Sequence, residues 1–566
     1  MINNTPFWYA FIKACVYFLH YTTPVSILYT VVATLYIGLQ NIHHPILIGM
    51  TSLAIAETLF YVAVFLPYRA YFQRDAVHPE TLSRAQRKAL FEKCNAQITN
   101  PTTYLSKWFL GADPKDIKRD NVADFILWAF FNRHGPAGAD AEEVEEYIQL
   151  HERTFGHTFP PGRGNVDCLR LTLEKVDMLH RSLVWYFCVG FVDFLTYVNL
   201  SMQGFRQFHP SVKTLVKLFP PRPYALTSGH TSPVKTSYWH REHKSKTHLP
   251  ILFIHGIGIG LYPYTNFLRE INAGLPRDEE IGVIALEIMP VSFRLSPAPL
   301  SASELSREIA RILEYHGYDN IVLAVHSYGS VIGTHLLHDP VMNAKIADIL
   351  LIDPVSILLH LPDVAYNFVR RKPRTAAEWQ LWYFASMDLG VARALGRYFF
   401  WSENIIWKED LCLSKRRVTV SLAGRDLIVD TEAVGRYLSS EDGDTPATRR
   451  VKQWEKEASS QESSDLEDEH EDLAPDDDRA KLIQESWKHK HWRGEGLEVL
   501  WFDHLDHAQV FDKKVTRTRL VNVLRTYCRI GEEGGFDGVD ERGLMTGNGN
   551  GHGRVKGRTT GHLKLS

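Results

Sequence analysis

The sequence predicts an α/β fold, a mostly parallel sheet flanked by helices and preceded by membrane helices, and three observations predict it. Short apolar runs at 250–254, 321–324, 350–352, 418–423 and 497–502 alternate with helix-period patterns, the signature of strands joined by crossover helices. One strand-to-helix junction holds Val325-His326-Ser327-Tyr328-Gly329, a serine with glycine two residues later. Residues 7–66 are largely apolar over lengths that suit bilayer spans.

The serine junction organises the reading. A turn that swings from strand to helix within three residues is strained and needs small neighbours where backbone passes close to backbone. It lifts the hydroxyl above the sheet edge, so Ser327 is the candidate nucleophile. Upstream, Pro250 to Ile254 reads as a buried strand that ends at His255-Gly256-Ile257-Gly258, some seventy residues before Ser327. Backbone N–H groups in such a turn can face the oxyanion of a tetrahedral intermediate. The two donors are assigned to Ile257 and to Tyr328, the residue after the nucleophile.

A base and an acid are then required. The strand Val418 to Ala423 runs into Gly424-Arg425-Asp426, and Asp426 is the candidate acid; Asp353, at the end of the preceding strand, and Asp430 are rivals. The strand Leu497 to Phe502 is followed by Asp503-His504-Leu505-Asp506-His507. His507 lies in the loop before the next helix pattern, where an imidazole can reach back to the serine. It is the candidate base, with His504 competing. His326 flanks the serine and is assigned to packing or hydrogen bonding around the turn.

The order serine, aspartate, histidine is that of the α/β-hydrolases. Over about residues 240 to 530 the chain resembles that family, and within it the lipase/esterase group with a His-Gly oxyanion turn and a His-Ser-x-Gly elbow. The family's elbow usually begins with glycine; here that position is Val325. The resemblance implies a serine hydrolase that needs no cofactor and no metal. Acyl transfer to an alcohol or amine on the same site, and a catalytically inactive membrane scaffold, are the alternatives.

Composition adds limits. The net charge of −3 gives no sign of a nucleic-acid partner. The six cysteines are scattered with no CxxC pair, which fits neither a disulfide framework nor a zinc site and suits a reducing compartment.

Residues 1–70 are expected to be a membrane anchor with two spans, at about 23–39 and 46–66. Arg69, Arg74, Arg84, Arg87 and Lys88 follow the second span, while the connector 40–45 carries no Lys or Arg. The positive-inside rule then puts the C-terminal bulk on the cytosolic side of the endoplasmic reticulum or another endomembrane. Glu57, inside the second span, is expected to hydrogen-bond a neighbouring helix. Residues 71–239 read as a helical region without a catalytic motif, and its apolar run 183–198 as a buried or interfacial helix. Within 240–530, the aromatic-rich segment 355–415 reads as a lid over an apolar pocket. The Glu/Asp/Ser-rich stretch 439–479 reads as a disordered insertion and the Gly-rich 531–566 as a disordered tail. An apolar acyl ester, taken from a membrane, is the expected substrate.

Overall fold

Eight strands form one sheet in the order β1-β2-β4-β3-β5-β6-β7-β8. They are β1 Arg206–Phe208, β2 Ser237–Arg241, β3 Ile251–Ile254, β4 Val283–Glu287, β5 Ile321–His326, β6 Ile346–Ile352, β7 Val418–Ala423 and β8 Leu497–Phe502. Only β2 runs antiparallel to its neighbours; the pairs from β4 through β8 are parallel. This computed structural model describes residues 1–39, 42–227, 230–413, 416–440, 445–449 and 485–530. The acidic insertion expected at 439–479 lies almost wholly outside the described residues, as does the tail from 531.

The central strands are covered on both faces, which is why they read as continuous aliphatic runs and not as alternating ones. Every residue of β3, β4 and β5 is buried. After β3 the chain adds β4 on one side, then crosses back to add β5 on the other. That reversal creates a crevice at the carboxyl ends of β3 and β5, where open α/β sheets bind ligands. Ile254 and Val325 are register partners there, so the His255-Gly256 turn and the Ser327 turn emerge side by side.

The sheet begins at Arg206, earlier than the expected boundary at 240, because its first two strands are short and polar enough to escape a pattern search. The helical region is not a separate layer either. Phe91, Trp108, Phe125 and Tyr147 belong to the same buried cluster as Leu323, Val325 and Leu389. The segment 355–415 joins it: Trp401 Nε1 donates to the Ala129 carbonyl at 2.8 Å, and Lys107 pairs with Asp363. Region and segment together roof the carboxyl ends of the strands.

Among the described residues, three helices are long and apolar enough to cross a membrane: Pro6–Tyr36, Pro45–Phe72 and Leu183–Met202. The first starts well before the expected 23–39. Thr5 caps it by accepting the Trp8 N–H, Pro6 fits its first turn, and the aromatic run from Phe7 continues the helix through Pro24. Lys13, a charge within this apolar run, sits 3.9 Å from the Trp379 ring centre. The third helix extends the 183–198 run to Met202. Glu57 is buried between the three. It accepts from Thr23 Oγ1 at 2.5 Å, lies 3.0 Å from His180 Nε2, and takes the Leu183 N–H at 2.7 Å, an otherwise orphaned donor at the start of the third helix.

Candidate active site

Ser327 sits between β5 and the helix Gly329–His338 with φ of +51°, a left-handed conformation that costs a non-glycine residue about 1 kcal/mol or more. Its neighbours hold it there. The Ser327 N–H donates to the Ile352 carbonyl at 3.0 Å. The Ser330 hydroxyl donates to the Ser327 carbonyl at 2.6 Å and accepts the Val355 N–H at 3.1 Å, which ties the turn to the loop after β6. Two glycines make the approach possible. A Cβ on Gly256 would lie 2.7 Å from Ser327 Cβ, and one on Gly329 would lie 2.4 Å from the Ile254 carbonyl oxygen.

Ser327, His507 and Asp426 come together from three loops. Ser327 Oγ lies 2.8 Å from His507 Nε2, and His507 Nδ1 lies 2.6 Å from Asp426 Oδ2. With its proton on Nδ1 the imidazole donates to the carboxylate and presents a lone pair to the serine. The other oxygen of Asp426 accepts the Ile428 and Val429 N–H groups at 2.8 and 3.0 Å, which fixes the carboxylate plane. His504 lies away from the site, exposed, against Arg425.

Asp353 is neither remote nor a simple turn former. It is buried at the end of β6, and its oxygens accept the Ala423 N–H at 3.2 Å and the Ala508 N–H at 2.8 Å. One carboxylate thereby holds the loop that carries Asp426 and the loop that carries His507. Asp353, Asp426 and His507 each place a polar atom within 4.8 Å of the others. Such a set could ligate a metal, but both His507 nitrogens and both Asp353 oxygens already face protein partners. Asp430 serves elsewhere, accepting the Ala433 N–H as a helix cap.

The electrostatics follow from burial. Burial alone would depress the His507 pKa, but the charge and hydrogen bond of Asp426, with Asp353 and Asp506 nearby, outweigh it and push the value up to about 9. Burial, reinforced by Asp426, raises Asp353 to about 7. His326 is held well below the usual imidazole range by burial, then by His507 and His255. It is neutral, and its Nδ1 lies 2.8 Å from the Tyr264 hydroxyl, which itself accepts the Gly256 N–H at 3.4 Å. This chain ties the oxyanion turn to the serine turn.

Ile257 and Tyr328 lie outside helices and strands, and no turn or loop bond uses their N–H groups. Both residues line, with Ser327, a narrow apolar cavity of about 60 Å³. Part of its wall comes from Phe368, Leu395 and Phe399 of the lid segment. The rest includes Trp108, Trp128 and Leu171, from a region in which the sequence gave no catalytic motif.

No family model matches this chain, and no curated protein does. Among solved structures it is similar to a membrane phospholipase A described as a bacterial virulence factor, at 13% identity and a TM-score of 0.34, over 61% of this chain and 94% of that one. A putative lipase from Acinetobacter baumannii AYE is 11% identical with a TM-score of 0.33, over 59% and 96%. A carboxylesterase from the ammonia-oxidizing Nitrososphaera gargenis is 14% identical with a TM-score of 0.30, over 52% and 97%. With β2 as its one antiparallel strand, a reversal at β3 and Ser327 on the turn after β5, the chain has the α/β-hydrolase fold.

Proposed function

We propose that this protein is a membrane-associated serine hydrolase that cleaves an ester with an apolar acyl group. The observation that carries the reading is the continuous contact from Ser327 Oγ through His507 to Asp426 at the edge of an apolar cavity. Ser327 attacks the ester carbonyl while His507 Nε2 takes the hydroxyl proton. Asp426 stabilises the imidazolium, and the Ile257 and Tyr328 N–H groups receive the negative charge on the carbonyl oxygen. His507 returns the proton to the leaving alcohol. Water, deprotonated by the same nitrogen, then attacks the acyl-enzyme and releases the acid. The acyl chain occupies the aromatic-lined cavity, where apolar contact supplies binding and excludes water.

Three helices of membrane-crossing length and composition support a lipid as the source of that acyl group. The test is covalent labelling by a fluorophosphonate in membranes containing the full chain. Labelling of wild type and its loss in Ser327→Ala supports the reading. Labelling that survives the substitution overturns the choice of nucleophile, and a folded wild type that never labels favours the inactive scaffold.

A further inference from the structure

The helix Leu183–Met202 has two apolar faces with different surroundings. Trp185, Tyr186, Val189, Asp193, Thr196 and Leu200 are buried. Phe187, Phe191, Phe194, Val198 and Met202 recur every three or four residues on the opposite side and are exposed, Phe187 by 74% and Met202 by 83%. Asp193 is the helix's only charged residue, and it faces inward.

The inner face is fastened along its length, first to the Pro45–Phe60 helix and then to the sheet domain. The Leu183 N–H is held by Glu57, and the Trp185 ring centre lies 5.9 Å from Phe293. Midway, Asp193 takes the Arg222 Nε–H at 2.6 Å and contacts Arg294 at 3.2 Å. Arg222 in turn pairs with Glu287, the last residue of β4. Further along, Tyr197 packs on Trp239 of β2 with ring centres 5.7 Å apart, and Gln203, just past the helix, donates to the Thr265 carbonyl at 3.0 Å.

A helix of 20 residues is about 30 Å long, enough to cross the hydrocarbon core. Crossing in this arrangement would take the edge of the sheet and the Asp193–Arg222–Glu287 cluster into that core, where lipid-facing strand edges are not tolerated. Lying flat removes the conflict, because the outer stripe then meets acyl chains while the inner face keeps its contacts. At its start the helix touches Glu57 of Pro45–Phe60, a helix that itself exposes Ile46, Leu53 and Leu59.

We infer that Leu183–Met202 lies in the plane of one membrane leaflet, with the Phe187-to-Met202 stripe among lipid acyl chains, and that it seats the catalytic domain on the bilayer surface. Lipid is the occupant because the five stripe residues are all apolar and the helix begins against Pro45–Phe72, which is itself long and apolar enough to cross a membrane.

Site-directed spin labelling of the full chain in phosphatidylcholine vesicles tests this. Cys188 and Cys412, both exposed, are first changed to serine. Labels are then placed singly at the outward positions 187, 191, 194, 198 and 202, of which Phe194 also touches Tyr224 with ring centres 6.0 Å apart, and each variant's thermal unfolding is matched to the parent. The expected result is one shallow depth for all five, read as a uniform ratio of oxygen to nickel-chelate collision. A depth that changes steadily along the series, or passes through a maximum, means a crossing helix and overturns the proposal. Exclusion of both reagents means a protein partner or a second copy covers the stripe, and strong nickel collision throughout means the stripe faces water; either also overturns it. None of these outcomes bears on whether Ser327 is the nucleophile.

Discussion

Val325 packs over Gly333: a methyl group built on Gly333 would stand 3.4 Å from Val325 Cγ1 and 3.5 Å from Cγ2. The β-branched residue at the start of the elbow points into the core beneath the helix that follows the serine, and the helix leaves room for it. Its bulk is therefore absorbed below the sheet edge and not in the turn. Gly333→Ala should be accommodated and should stabilise the fold by about 0.5–1 kcal/mol, since glycine within a helix is unfavourable by that amount. Gly333→Leu should press Val325 and β5 apart, lower the unfolding temperature and slow fluorophosphonate labelling, with a penalty of about 1–3 kcal/mol. Thermal unfolding beside labelling rates checks both. Wild-type behaviour of the leucine variant would mean that this contact does not shape the elbow.

The protonation of His507 sets a pH dependence. The base must be neutral to take the serine proton, and its pKa is raised from 6.5 to about 9. The value of kcat/KM, which reports the free enzyme, should therefore climb with pH across that window, approaching tenfold per unit on its acidic limb. The stability effect has the opposite sign. A group whose folded pKa is raised contributes stability that is present below its unfolded pKa and lost as pH rises through the folded value. The apo protein should thus lose stability between pH 6.5 and about 9 while its activity grows. A flat rate profile over that range would exclude His507 as the base.

Asp353 and Asp426 should separate in their effects. Asp426→Asn removes the acceptor for His507 Nδ1–H and should lower kcat by about 10⁴. Asp353 touches the two loops and not the reacting atoms, so it is a positioning residue. Asp353→Asn removes a carboxylate that helps His507 keep its proton, so the acidic limb should move to lower pH, alongside a smaller loss of kcat and a drop in thermal stability. If Asp353→Asn instead costs as much as Asp426→Asn and leaves the limb in place, the roles of the two acids need to be exchanged.

Gly256→Ala tests the oxyanion side. Its methyl group would land 2.7 Å from Ser327 Cβ and 3.0 Å from His326 Nδ1, so either the serine or the turn must shift. Loss of one oxyanion donor costs about 10²–10³ in kcat, and displacement of the nucleophile costs more. KM should change less than kcat, because the aromatic walls of the cavity are untouched. A variant with an unchanged kcat would place the oxyanion site elsewhere than beside Ile257.

What could be read in the sequence divides along a physical line. Ser327, Asp426 and His507, which the fold brings into contact, and Ile257 and Tyr328, which line the cavity beside them, could be proposed from the sequence because each follows a strand of a strongly patterned sheet, in an informative chain order. Asp353 was seen but read as a rival acid. Its role depends on two N–H groups 70 and 155 residues away, which no local pattern encodes. The roof over the site was hidden for a similar reason: Trp108 and Trp128 look like ordinary core residues of amphipathic helices until the fold brings them over the serine. The start of the first helix was misplaced because Lys13 and Pro24 look like breaks. One is matched by Trp379 and the other is tolerated in a continuous helix.

The cavity leads to a prediction about substrate length. Ala365 lines it from the lid segment and is only half-buried, so a larger side chain there can grow into the empty space without a matching cavity being opened elsewhere. Ala365→Phe should shorten the acyl site, at a packing cost of about 1–3 kcal/mol because the ring is larger than the empty space it enters. Each methylene displaced from an apolar site forfeits about 0.8 kcal/mol of transfer free energy, so kcat/KM should fall by roughly fourfold per excluded methylene for long-chain esters. Short-chain esters, which do not reach the new ring, should be turned over as before. A series of p-nitrophenyl esters of increasing chain length measures this directly. Equal losses at every length would mean that the ring had disturbed Ser327 or His507. No change at any length would mean that the acyl chain leaves the serine by another route.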